Sequence, residues 1–266
     1  MKHIVSKKNR ALLRELVITD FKLRYQNSVL GYAWSLLRPL FLFIILYIVF
    51  VKFLKLGNGV PHYPVYLLLG IVMWNFFVEM TMQSLGSVVS RGDLIRKIRI
   101  PRWIIVISSS LSALINLGLN LLVVTVFLFI NHVDLLRTSI WLPLILFEVY
   151  IFALGLSFYL SAAFVKYRDV SYIWEVCLQA GFYLTPILYP LARISNITLQ
   201  KLLLLNPMAQ TIQAARYSLI THQTTTTHSV FNGGPYSYIP FVIVIITFTV
   251  GVLYFKKESK YFAENI

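Results

Sequence analysis

The chain has 266 residues, of which 58% are hydrophobic and 13% charged, with a formal net charge of +14 and a mean hydropathy of +0.73. This composition excludes an ordinary soluble domain. The cations fall in the gaps between apolar runs and not on a recurring basic face, which argues against a nucleic-acid partner.

The opening stretch, MKHIVSKKNRALLRELVITDFKLRYQ, is too long and too polar ahead of the first apolar run for a cleavable signal peptide, so the first residue is expected to be retained. Within it, about residues 10–27, Leu13, Leu16, Val17 and Phe21 recur at helical spacing, while Arg14, Glu15, Lys22 and Arg24 stay off that stripe. An amphipathic helix lying in a membrane interface among anionic headgroups is expected. It serves either as a topological anchor or as part of a substrate path.

Six apolar runs can cross a bilayer as helices: about 32–56, 64–89, 103–130, 140–164, 171–191 and 236–255. The expected fold is therefore a single all-α integral membrane domain over 1–266. The fifth run is the most interrupted, by Glu175, Gln179, Thr185 and Pro186, and the proline should kink or end its helix. The lone Cys177 lies in the same run, so there is no disulfide framework and no CxxC metal site.

Between the second and third runs, SRGDLIRKIRIPRW sets Leu94, Ile95 and Ile98 on a short cationic helix that stops before Pro101. A loop that only fixes topology needs the charges but not the apolar ridge; a ridge suits a partner's groove. Between the fifth and sixth runs, the first half of 192–235 contains LQKLLLLNPMAQTIQAARYSLI. Its two helical pieces are each too short to span, and Pro207 suits a first helical turn. Short re-entrant helices at a channel mouth are expected there. The following THQTTTTHSVFNGGPYS is polar and turn-rich.

Lys and Arg set the orientation. Eighteen lie up to Arg38 near the start of the first run, in the second-to-third and fourth-to-fifth loops, and in the tail. Six lie on the other side: Lys52, Lys55, Arg137, Arg193, Lys201 and Arg216. The positive-inside rule then puts both termini in the cytoplasm.

Glu79, Glu148 and Glu175 fall in or near apolar runs, where acids face protein or water. Helix–helix hydrogen bonding or a polar conduit accounts for them more simply than a proton relay. The five His residues have no metal-ligand spacing. The 16 Tyr, 19 Phe and 5 Trp suit interfacial belts and packing, or the lining of a conduit for sugars. No GxxxxGK[ST], nucleophile elbow or HExxH occurs, so nucleotide-driven work would need another chain.

Several stretches, in order, resemble the ABC-2 type permeases that export bacterial polysaccharides and teichoic acids. They are DFKLRYQNSVLGYAWSLLRPL, GIVMWNFFVEMTMQSLGSVVSRGDLIRKIRIPRW, KYRDV, LTPILYP and LNPM, and the resemblance covers nearly the whole chain. It implies a non-enzymatic subunit of the bacterial cytoplasmic membrane that forms a homodimer. Two copies of a separate ATPase would bind ATP and Mg, and the substrate would be a lipid-linked glycan. The resemblance assigns Arg91, Gly92, Asp93, Leu94, Ile95, Arg96, Lys97, Ile98 and Arg99 to ATPase contact, and the pieces around 194–220 to outer gate helices. Tyr32, Trp34, Glu79, Tyr183, Pro186, Asn206 and Pro207 are channel or gate candidates. Lys22, Arg24 and Arg38 are candidates for the carrier's phosphates, against the plainer reading of topology and headgroup contact. A drug or lipid efflux permease of the same superfamily is the alternative function, and an ion-coupled secondary transporter a more remote one.

Overall fold

The structure, a computed structural model, describes residues 7–25, 31–55, 57, 59–97, 100–134 and 137–265. Among them every regular element is helical. In chain order these are α1 (Lys7–Tyr25), α2 (Trp34–Leu46, running on into a π-helical turn Tyr47–Phe53), α3 (Tyr63–Ser90) and α4 (Gly92–Lys97). Next come α5 (Trp103–Ile130), α6 (Leu142–Lys166), α7 (Val170–Leu184), α8 (Ile197–Leu204) and α9 (Pro207–Leu219). Last are α10 (Thr227–Val230), α11 (Ile239–Glu258) and α12 (Phe262–Asn265).

Five of the described segments are long and apolar enough to cross a membrane: Trp34–Phe53, Tyr63–Ser90, Trp103–Ile130, Arg137–Lys166 and Pro235–Tyr261. They coincide with five of the six expected runs. The other, 171–191, is shorter as a helix than expected. α7 has 15 residues, a rise of about 22 Å at 1.5 Å each, against about 30 Å of hydrocarbon. The cause is Pro186, which disfavours the helical region for the residue before it. Thr185 accordingly takes φ −85°, ψ 135° and closes the helix.

α3 is the central rod: 78% of its apolar window is buried, against 11% for the first span. α5, α6, α7 and α9 all pack against it. Inside lipid, apolar surface gives little drive to helix association, so close backbone approach and interhelical hydrogen bonds do the holding. α6 and α11 meet backbone to backbone through two glycines. A Cβ on Gly251 would sit 2.0 Å from the Gly155 carbonyl oxygen, and one on Gly155 would sit 2.5 Å from the Phe248 Cα. Elsewhere the Trp174 indole donates to Thr81 Oγ1 at 3.1 Å, and the Ser110 and Tyr150 hydroxyls pair at 3.1 Å.

The bundle has two different ends. At one, α12 lies against α4, with Phe262 buried and in edge contact with Phe255 at 5.4 Å. Arg102 donates to the Ser259 carbonyl at the same end. α8 and α9 occupy the opposite end, beside the start of α3.

Candidate functional site

The expected functional residues fall into three places. The first is the basic end around α4. Arg91 closes α3 and turns inward: it forms an ion pair with Asp20 of α1 and donates to Ser108 Oγ of α5 at 2.8 Å. Of the remaining contact candidates, Gly92 is buried, Leu94 and Ile95 are half-buried, and Asp93, Arg96 and Lys97 are exposed. Ile95 packs against the main core. The outward face of α4 therefore carries Asp93, Arg96 and Lys97, while Arg91 and Ile95 tie the helix to the bundle. Ile98 and Arg99 lie outside the described residues. On the neighbouring elements Lys22 and Arg38 are exposed; the Arg24 and Tyr32 side chains lie outside the described set.

The second place is a polar seam between α3, α5 and α2. Glu79 accepts hydrogen bonds from Gln83 at 2.7 Å and from the Asn116 amide of α5. One turn on, Asn120 donates to the Asn116 carbonyl at 2.8 Å and to the Ser35 carbonyl of α2 at 3.3 Å. Ser108, Ser112, Asn116 and Asn120 recur every four residues, so one stripe of α5 presents polar groups to its neighbours. Glu79 thus hydrogen-bonds across a helix–helix junction. Glu148 of α6 is half-buried, and one of its carboxyl oxygens has no hydrogen-bond partner. Glu175 is exposed on α7.

The third place lies at the opposite end, where gate candidates meet a residue not expected to have a role. Arg216 of α9 is fully buried. Its Nε donates to the Tyr66 carbonyl at 3.0 Å. Nη1 donates to the Pro186 carbonyl at 2.6 Å and to Gln213 Oε1 at 3.0 Å, and Nη2 donates to the Ile187 carbonyl at 2.9 Å. The guanidinium stacks over the Tyr66 ring at 3.6 Å, and the Tyr66 hydroxyl donates to Gln213 Oε1 at 3.2 Å.

The local logic is direct. The break at Pro186 leaves backbone carbonyls without helical donors, and a planar fork of five N–H groups satisfies two of them at once. Gly70 makes the room, since a Cβ there would meet Nη2 at 2.5 Å. Asn206 caps α9 by accepting from the Met208 amide at 3.0 Å, and its Nδ2 donates to Thr185 Oγ1 at 3.3 Å. Pro207, buried, takes the first helical position.

Of the gate candidates, Pro186, Asn206 and Pro207 come together here. Trp34 stands exposed at the start of α2, Glu79 is in the polar seam, and Tyr183 is exposed with its ring edge-on to Phe182 at 5.4 Å. Arg216, Tyr66, Gln213 and Gly70 were the residues missed. The available signal was Gln213 and Arg216 three residues apart on a short helix, with a proline-broken run upstream needing donors. Among the described residues no group of three His, Cys, Asp or Glu is placed to hold a metal ion.

Comparison with known proteins adds the family. The profile described as ABC-2 type transporter matches residues 11–220. An O-antigen export system permease protein RfbA of Klebsiella pneumoniae is 31% identical over 255 residues, covering 94% of this chain and 93% of its own. A protein of the same name from Myxococcus xanthus is 26% identical over 258 residues, covering 97% and 96%. A second Klebsiella pneumoniae protein of that name is 29% identical over 254 residues, covering 94% and 93%. The multi-pass helical bundle and the match over most of its length lead to one conclusion: the chain belongs to the ABC-2 type transporter family.

Proposed function

We propose that the chain is the transmembrane permease subunit of an ATP-driven exporter that moves a lipid-linked polysaccharide of the O-antigen, capsule or teichoic-acid type across the bacterial cytoplasmic membrane. The observation that carries this reading is end-to-end similarity to relatives named as O-antigen export permeases, covering 94–97% of the chain without a large gap at either end. ATP and Mg belong to a separate ATPase that docks beneath α4. The cation bias of the loops supports cytoplasmic termini.

A homodimer is the working assembly. α7 exposes Tyr172, Ile173 and Val176 together with Glu175 and Gln179, and a carboxylate facing hydrocarbon is costly. A second copy, or an aqueous path between two copies, relieves that cost. In this reading α7 and the bend at Pro186 make the fifth of six crossings, and α8 and α9 dip into the outer leaflet as gate helices. Lys22, Arg24 and Arg38 remain candidates for the carrier's phosphates; exposure of Lys22 and Arg38 is compatible with that role.

The mechanism follows from what each end of α3 touches. Nucleotide-driven closure of the ATPase displaces α4, which Arg91 couples to α3, α5 and α1. α3 is one helix of 28 residues, about 42 Å long. Its far end holds the Tyr66 carbonyl and Gly70, both in contact with Arg216. Movement of α3 therefore reaches α9 and the Pro186 break together and opens the outer mouth, while the first and fifth spans tilt apart.

Replacing Leu94 and Ile98 with Asp tests the docking step. The permease should remain inserted and monodisperse but lose its ATPase on co-purification. Full retention of the ATPase would overturn the assignment of α4.

A further inference from the structure

Between α1 and α5 lies a cleft of ≈ 870 Å³ that the transport mechanism does not use. Lys7, Arg10 and Arg14 of α1 line it together with Leu111, Leu114 and Ile115 of α5. We propose that this cleft binds one anionic phospholipid of the inner leaflet, headgroup phosphate on the α1 cations and acyl chain along α5.

The cations and the apolar wall come from two helices that face each other across one cleft. Lys7, Arg10 and Arg14 recur at spacings of three and four, so they share one face of α1, and all three are exposed. The residues lining the cleft include these three cations and no acid. Leu111, Leu114 and Ile115 are eight to twelve residues into α5 from Trp103. That is about 12–18 Å along the helix, the depth of acyl chain within one leaflet. Leu114 and Ile115 are exposed at 38% and 44%, so they present apolar surface where a chain would lie. α1 is held at this distance from the bundle by the Asp20–Arg91 pair farther along the helix. Cations beside an apolar wall match a phosphodiester with a hydrocarbon tail. A zwitterionic lipid offers the tail without the net charge.

The test uses the detergent-purified full chain and two lipids with the same acyl chains, dioleoylphosphatidylglycerol and dioleoylphosphatidylcholine. Thermal midpoints and native mass spectra are recorded as each lipid is added. Phosphatidylglycerol should bind at least about tenfold more tightly. The exposed-site variant Arg10→Ala with Arg14→Ala should remove that preference, and Leu114→Trp, which fills the cleft, should reduce binding of both lipids. Equal binding of the two lipids, or a preference that survives in the double variant, would overturn the proposal. So would stabilisation by undecaprenyl phosphate alone, which would give the cleft to the export carrier. Dissociation of the particle into monomers by Leu114→Trp would give it to a second copy and equally overturn the proposal.

Discussion

Replacing Arg216 with Leu removes the fork that joins α9, the start of α3 and the break at Pro186. Four acceptors lose their donor: the carbonyls of Tyr66, Pro186 and Ile187, and Gln213 Oε1, which keeps the Tyr66 hydroxyl. The Tyr66 carbonyl lies within α3, where the helix supplies its own donor, so the two carbonyls at the break, Pro186 and Ile187, are the ones left without a partner, at about 1–3 kcal/mol each. The lower figure applies to each if water enters beside Gly70, which gives about 2 kcal/mol in all. For a chain of this size that corresponds to a fall of about 4–8 °C in the unfolding midpoint. Size-exclusion thermostability of the detergent-solubilised protein reads it directly. Arg216→Lys should fall between, because one ammonium cannot span two elements and stack on Tyr66 as the guanidinium does. Gly70→Ala should resemble Arg216→Leu, since its Cβ would meet Nη2 at 2.5 Å. A wild-type midpoint in both Arg216→Leu and Gly70→Ala would refute the claim that this fork holds this end of the bundle together.

Gly251→Leu should abolish stable folding or displace α11 from α6, because even the Cβ would lie 2.0 Å from the Gly155 carbonyl oxygen; loss of the monodisperse peak on gel filtration checks it. Glu79→Gln keeps an acceptor for Gln83 and Asn116, so export should persist and be independent of the proton gradient. Glu79→Leu should instead destabilise the bundle by about 1–3 kcal/mol for each donor stranded, read as a lower midpoint. Asp20→Ala breaks the Asp20–Arg91 pair at the partly buried basic end. It should cost about 1 kcal/mol and increase hydrogen exchange in α1, while α3 remains protected.

Much of the architecture was legible because lipid imposes a length and a composition on any helix that crosses it. The expected 103–130 run and α5 share their bounds, and the Pro186 break was readable from the loss of one amide hydrogen. Arg216 was not legible as a site. In sequence it is one of the six cations on the cation-poor side of the runs; its partners at Tyr66 and Ile187 lie 150 and 29 positions away, and only packing brings them together. Arg91 gave the opposite problem. It stands in a cationic loop that reads as a contact surface, yet Asp20, 71 positions earlier, draws it inward. Charge counting locates the side of the membrane but not the direction a side chain points. Nor does periodicity alone reveal that Gly155 and Gly251 bring two backbones together, since either glycine would suit an unremarkable apolar helix.

The central claim is that this chain carries a lipid-linked polysaccharide outward when its ATPase partner turns over. It is tested most directly in the producing cell, by deleting the gene and complementing it with the wild-type chain or with Leu94→Asp/Ile98→Asp, then measuring polysaccharide on intact cells and in whole lysates. The account predicts that the deletion and the double variant lose surface polymer while lipid-linked polymer accumulates inside, and that the wild-type chain restores export. Surface polymer at the normal level in the deletion strain, with no internal accumulation, would contradict it.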